Sequence, residues 1–296
     1  MDERQKTRGV VVGYDGSAQS EIAVRWAAAE ARLRGVPLTV CHASEAYLAN
    51  APLGVPLADL ERAAQDVLAV GAELARREAR DVHTVLGHGA AASVLKDAAA
   101  EAELVVVGTR GHGGFAELVL GSTAAALAAH SPCPVVVTRE AADQDGQGPV
   151  VAGVDGSPSS LEALGLGFAE ACLRGTELRV VLAWPAGIEV DAPLVGAEGL
   201  RELAAERLAR LVAPLRRDHP EVKVKTEVVT GSPREVLLDA AADAGLLVVG
   251  TRGLGGFRGL VMGSVSHALL HHAPCPVAVT PPTATRTGTS ESRAGK

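Results

Sequence analysis

The chain has 296 residues, enough for two domains of ordinary size. Its 47% hydrophobic content supports sizeable cores, which at 2% aromatics must be built from Ala, Val and Leu. A net charge of −7 disfavours general nucleic-acid binding, and no apolar run approaches the roughly 18 residues of a membrane span.

The opening residues 1–8 are polar and lack the apolar core of a signal peptide. Cys41, Cys133, Cys172 and Cys275 form no CxxC pair, so they read as reduced, mostly buried thiols of a cytoplasmic protein. Residues 9–14 read as a strand. Ser17 is the candidate cap of a helix with Ile22, Trp26, Ala29 and Leu33 as its apolar face, ended by Gly35 and Pro37. A strand over 38–41, a loop over 51–56 and a helix over 58–80 follow. Residues 82–86 then read as a strand, 90–102 as a helix and 104–107 as a strand. After a glycine-rich loop, a helix starts near Ser122 and a last strand covers 135–138.

The second half repeats this order. Ser157-Pro158 reads as a cap with proline in the first helical position, and Leu161, Leu164, Phe168 and Cys172 as the first helix face. Ser232-Pro233-Arg234-Glu235 has the spacing of a capping box. Between positions 104–138 and 246–280, 23 of 35 residues are identical at a constant offset of 142. A repeat of this length is a duplicated domain rather than a solenoid unit of roughly 20–50 residues. The expected division is a first domain over 1–140, a linker over 141–148, a second domain over 149–281 and a disordered tail over 282–296.

Strand–helix alternation with continuous apolar strands indicates a parallel sheet covered on both faces, with ligands beyond the carboxyl ends of the strands. Each half carries the same loop there. The first is Gly108-Thr109-Arg110-Gly111, nine residues, then Gly121-Ser122; the second is Gly250-Thr251-Arg252-Gly253, nine residues, then Gly263-Ser264. Glycines let backbone N–H groups approach an anion, and the following helix start favours negative charge. Asp15 and Asp155 end the first strand of each half. If the first and fourth strands are neighbours, each Asp faces its own glycine loop.

Plainer readings stand beside these. The glycine loops could be simple turns, and Asp-Gly-Ser is good turn chemistry. Arg110 and Arg252 could pair phosphates or be solvated loop charges. His267 and His271, with His272, lack further zinc ligands and fit a surface or interface helix better. Cys133 and Cys275 read as buried small hydrophobes. No lysine follows either glycine run as a Walker A loop requires, and no GxGxxG follows the first strand. Asp15 lacks the neighbouring acids of a receiver domain, Gly87-His88-Gly89 is not an HxGH element, and no Ser/His/Asp or Cys/His set has recognisable spacing.

These segments resemble the universal stress protein family in its tandem form: V-G-x-D-G-S at each opening, G-x-x-G-x9-G-[ST], and a closing P-C-P-V. The glycine motif is that of the family's ATP-binding branch. The resemblance implies an adenine nucleotide alpha hydrolase-like α/β fold in each domain, a five-stranded parallel sheet of order 3-2-1-4-5 with helices on both faces. It places Asp15 beside the ribose or a phosphate-bound Mg²⁺ or Mn²⁺, and Gly13, Ala43 and Val107 on the adenine side. Gly108, Gly111, Gly121 and Ser122 cradle ribose and phosphates, with the Thr123 amide as a further donor. In the second domain these roles fall on Asp155, Gly153, Ala183, Val249, Gly250, Gly253, Gly263, Ser264 and Val265. Gly87-His88-Gly89 lacks the proline that Gly231-Ser232-Pro233 supplies, and His112 stands where the second domain has Leu254.

The function implied is an ATP-binding regulatory or interaction module of the stress response, not a fast enzyme, with an unknown protein partner and a possible homodimer. The two domains are expected to pair through their last strands, which removes two exposed edges. A slow ATPase or phosphotransferase at the same sites, with His112 and Arg110 or Arg252 as candidate groups, is one alternative. A nucleotide-free scaffold is the other.

Overall fold

Runs such as Val10-Val11-Val12 and Leu104-Val105-Val106-Val107 are buried on both sides, as strands inside a helix-covered sheet must be. The computed structural model describes residues 9–44, 56–111, 119–139, 148–184, 197–255 and 262–282. The loop at 51–55, His112, the linker over 141–147 and the tail from 283 onward lie outside them. The first domain runs β1 (Val10–Gly13), α1 (Ala18–Arg34), β2 (Leu38–Ser44), α2 (Leu57–Ala75), β3 (Val82–His88), α3 (Ala91–Ala98), β4 (Leu104–Gly108), α4 (Ser122–His130) and β5 (Val135–Thr138). The second repeats it as β6 (Val150–Gly153), α5 (Pro158–Arg174), β7 (Leu178–Trp184), α6 (Ala197–Asp218), β8 (Val224–Thr230), α7 (Pro233–Ala240), β9 (Leu246–Gly250), α8 (Ser264–His272) and β10 (Val277–Thr280).

The strands form one ten-stranded sheet of order β3-β2-β1-β4-β5-β10-β9-β6-β7-β8. Each half is therefore parallel in the order 3-2-1-4-5. The halves join where β5 meets β10 antiparallel, Val137 opposite Val277 and Val135 opposite Val279. The expected pairing of the last strands is observed, and it leaves neither strand as an open edge.

Alternation along each strand divides the core in two. Val10, Val12, Leu104 and Val106 face α1 and α2, with Val150, Ala152, Leu246 and Val248 facing α5 and α6. Val11, Val105 and Val107 face α3 and α4, as Val151, Leu247 and Val249 face α7 and α8. Helices α1 and α5 both start at a serine whose side chain accepts a backbone N–H, Ser17 from Ser20 and Ser157 from Ser160. Both end at a left-handed glycine, Gly35 (φ 68°) and Gly175 (φ 61°), where a side chain would be strained.

Several local expectations are corrected. The buried face of α1 is Ala23, Val24, Ala27, Ala28 and Ala31, while Leu33 is exposed. Small alanines let the helix lie close on the sheet, so the larger apolar residues fall at its flanks. In α5, Leu164 and Phe168 are buried, but Leu161 and Cys172 are exposed. The Ser232 side chain caps nothing, and α7 is started by Pro233 instead. β2 and β3 run three and two residues further than expected, because the two pair continuously from Leu38–Val82 to Ser44–His88.

The domains also meet through α1 and α5. Arg34 Nε donates to Glu30 at 2.7 Å and its Nη2 to Glu170. Arg174 donates to Glu170 and, at 2.5 Å, to Glu30. All four side chains are nearly buried, and Arg174 also lies 5.7 Å over the Trp26 ring. This closed ring of two guanidiniums and two carboxylates spans the domain boundary. No sequence spacing within one domain foretells it.

Candidate functional site

β1 and β4 are neighbours, Val10 beside Leu104 and Val12 beside Val106, so Asp15 and the glycine loop leave the same end of the sheet side by side. A side chain at Gly111 would collide with Asp15 Oδ2. Gly108 is as constrained, because a Cβ there would stand 2.7 Å from the Gln19 carbonyl of α1. These glycines are required by close approach, not merely by a turn. Asp15 Oδ1 accepts from the Ser17 N–H at 3.0 Å and the Ser17 hydroxyl at 2.6 Å.

The N-terminus of α1 is thus satisfied by Ser17, whereas that of α4 is not. Its cap is Gly121, which has no side chain to offer, so among the described residues no side chain caps the first-turn N–H groups of α4. Gly121 itself is held by its N–H to the Thr109 carbonyl at 2.7 Å. Between α4, the loop and the end of β1 lies a cavity of about 420 Å³. Gly13, Asp15, Ala43, Val107, Gly108, Gly111, Gly121, Ser122 and Thr123 all line it. All nine first-domain residues expected to hold the nucleotide are brought to one cavity.

Other lining residues were missed: Tyr14, Cys41, His42, Leu95 and Thr109 among them. His42 and Ala43 reach the cavity because β2 extends beyond Cys41, and Cys41 itself pairs with Gly13 across the ladder. His42 Nδ1 lies 2.8 Å from the Tyr14 carbonyl. The Thr109 hydroxyl donates to Gln19 Oε1 at 3.1 Å, which ties the loop to α1. Burial pushes the Cys41 thiol up to about 12, so it is an apolar wall and not a nucleophile. Only the register of β2 against β1 could have pointed to Cys41 and His42.

The second domain repeats the geometry. β6 and β9 are neighbours, and a Cβ on Gly253 would stand 2.5 Å from Asp155 Oδ2. A Cβ on Gly250 would stand 2.7 Å from the Ser159 backbone. Gly153 packs on Leu237 of α7 and on Val249, as Gly13 packs on Leu95 and Val107. Gly263 caps α8, which Ser264 and Val265 open, without a side-chain bond. Ala183 lies on β7 opposite Val229 of β8. Asp155 Oδ2 accepts from the Leu254 N–H at 2.8 Å, and the Arg252 carbonyl accepts from the Ser157 and Ser159 hydroxyls. Burial pushes the Asp155 carboxyl up, but the bonds from Ser157, Leu254 and Ser160 outweigh it and hold it below the usual carboxylate range. Leu182, buried, stands where the first domain has His42.

Arg110 lines the first cavity, and His112 lies outside the described residues. The rings of His267 and His271 lie tilted with centroids 4.4 Å apart on the partly exposed face of α8, away from further ligands among the described residues, as a surface helix requires. Cys133 and Cys275 are buried, and burial raises both thiols, that of Cys275 to about 11.

The model of the universal stress protein family matches the chain twice, over residues 6–139 and 148–281. A universal stress protein of Mycobacterium tuberculosis is 36% identical over 292 residues, covering 94% of this chain and 99% of that protein. One from Mycolicibacterium smegmatis is 36% identical over 288 residues, covering 93% and 97%. Among solved structures, a universal stress protein from Archaeoglobus fulgidus superposes with a TM-score of 0.73 at 17% identity, covering 93% of this chain and 98% of that one.

Proposed function

This chain belongs to the universal stress protein family, and on that premise we propose that it binds ATP with Mg²⁺ or Mn²⁺ and acts as a nucleotide-dependent regulatory module. The observation that carries the reading is the first-domain cavity, where all nine expected residues converge on an uncapped helix start. Phosphate oxygens accept from the first-turn N–H groups of α4, at Ser122 and Thr123, and from the backbone of the glycine loop. The adenine lies against Val107, Leu95, Gly13 and Ala43, a largely apolar slot. Oxygen donors suit Mg²⁺ or Mn²⁺, and among the described residues the Asp15 carboxylate is the one acidic side chain on the cavity wall. In the second domain Asp155 already accepts from Leu254, so a metal there competes with an internal bond.

Binding rather than turnover is the role these groups support. Cys41 is held as a thiol, and besides Tyr14, Asp15, His42 and Arg110 the described lining offers backbone donors and small or apolar side chains. The test is calorimetric titration of nucleotide-stripped protein with ATP, with and without Mg²⁺, in the wild type and in Asp15→Ala. Saturable binding whose metal dependence is lost in the variant supports the reading. No binding heat in the wild type overturns it.

A further inference from the structure

We propose that Cys172, His219 and Glu221 form a zinc site on the surface of the second domain, with solvent completing the coordination. Cys172 lies in the last turn of α5, and His219 and Glu221 in the turn that leaves α6. The three ligand atoms lie within 4.8 Å of one another. Cys172 Sγ is 3.0 Å from Glu221 Oε1, and His219 Nδ1 is 3.6 Å from that same oxygen. Around a tetrahedral ion with bonds of about 2.0–2.3 Å, ligand atoms stand roughly 3.3–3.6 Å apart. Two of the three separations are already near that scale and the third is within 4.8 Å, so side-chain rotations admit the ion.

The ligands are held in place by the fold. The His219 ring stacks on Phe168 with centroids 5.7 Å apart, and Phe168 is fully buried. Phe168 and Cys172 are one turn apart on α5, so one helix face orients the imidazole and offers the thiol. The His219 N–H bonds to the Leu215 carbonyl at 2.9 Å, and its own carbonyl accepts from Val222 at 3.2 Å. Pro220 fixes the backbone between the two ligands, and Val222 anchors the turn in the core.

The donor set selects the ion. A thiolate with an imidazole suits Zn²⁺, whereas Mg²⁺ and Ca²⁺ want oxygen alone. Zn²⁺ takes the place of the Cys172 proton, which leaves to water. The site is no part of the duplicated architecture, since the first domain has Arg32 at the position of Cys172. It is also chemically distinct from the other thiols, because Cys41, Cys133 and Cys275 are buried and Cys172 is exposed.

The test titrates the full chain with Co²⁺, a spectroscopic stand-in for Zn²⁺. One Co²⁺ per chain is expected, with a near-ultraviolet thiolate-to-cobalt band that Zn²⁺ abolishes. Cys172→Ser removes the band, and His219→Ala weakens binding roughly tenfold or more. A second readout needs no variant: Zn²⁺ slows modification of Cys172 by a thiol reagent. Absence of the band at saturating Co²⁺, its survival in Cys172→Ser, or thiol reactivity indifferent to Zn²⁺ overturns the proposal.

Discussion

Replacing Glu170 with Ala tests whether the ion ring between α1 and α5 holds the two domains together. Glu170 is 1% exposed and accepts from both Arg34 and Arg174. Its loss leaves two nearly buried guanidiniums facing Glu30, with Glu103 reaching Arg34 from the surface at 3.2 Å. Removing one partner from a buried pair costs about 3–5 kcal/mol, because the remaining charge is left desolvated and uncompensated. For a chain of this length that is a fall of roughly 5–8 °C in a cooperative thermal transition, at about 2.1 cal/mol/K of unfolding entropy per residue. Thermal and urea unfolding by circular dichroism at about pH 8, where Glu170 is ionised, measure it. Glu103→Ala is the internal control, since that carboxylate is 46% exposed and its pairing is worth under about 1 kcal/mol. Replacing all four members with apolar side chains of similar size is expected to be close to neutral. A Glu170→Ala loss no larger than that of Glu103→Ala refutes the reasoning.

The same ring predicts a pH dependence. Burial pushes the Glu170 carboxyl up to about 7; Glu30 adds to the shift, and Arg174 and Arg34 oppose it. The folded state then holds a proton that the unfolded chain releases near 4.5, so this group favours folding at low pH and loses that favour as pH rises toward 7. The contribution is at most about 3 kcal/mol, and Glu170→Gln should flatten it in unfolding curves taken between about pH 5 and 8. Gly111→Ala forces Asp15 out of position. It should cost about 1 kcal/mol of stability through the lost Ser17 bonds and weaken ATP measurably more than it weakens the fold, read by calorimetry beside thermal melts. Gly108→Ala meets backbone rather than a movable side chain, so it should destabilise by about 1–3 kcal/mol.

The sequence made the strands, their order and the glycine loops legible because each rests on local chemistry. Continuous valine runs mark buried strands, and a motif written twice fixes the strand ends. Leu33 and Cys172 escaped because helical spacing names an apolar stripe without saying which side the sheet takes. His42 and Leu95 escaped because they enter the cavity through β2 register and α3 packing, contacts between residues far apart in the chain. The ring of Glu30, Arg34, Glu170 and Arg174 joins positions 136 and 144 residues apart, so it appears only once the domains are docked. Either Asp was open to a turn role or a ligand role. Both anchor their loops internally, and Asp15 also faces the cavity.

The most direct measurement is the nucleotide content of freshly purified protein. The chain is denatured, and the released material is separated by chromatography and identified by mass. Retained ATP, approaching two per chain when both sites are filled, is the expected result. A protein that carries none, and gives no heat on titration with ATP and Mg²⁺, contradicts a nucleotide-dependent role.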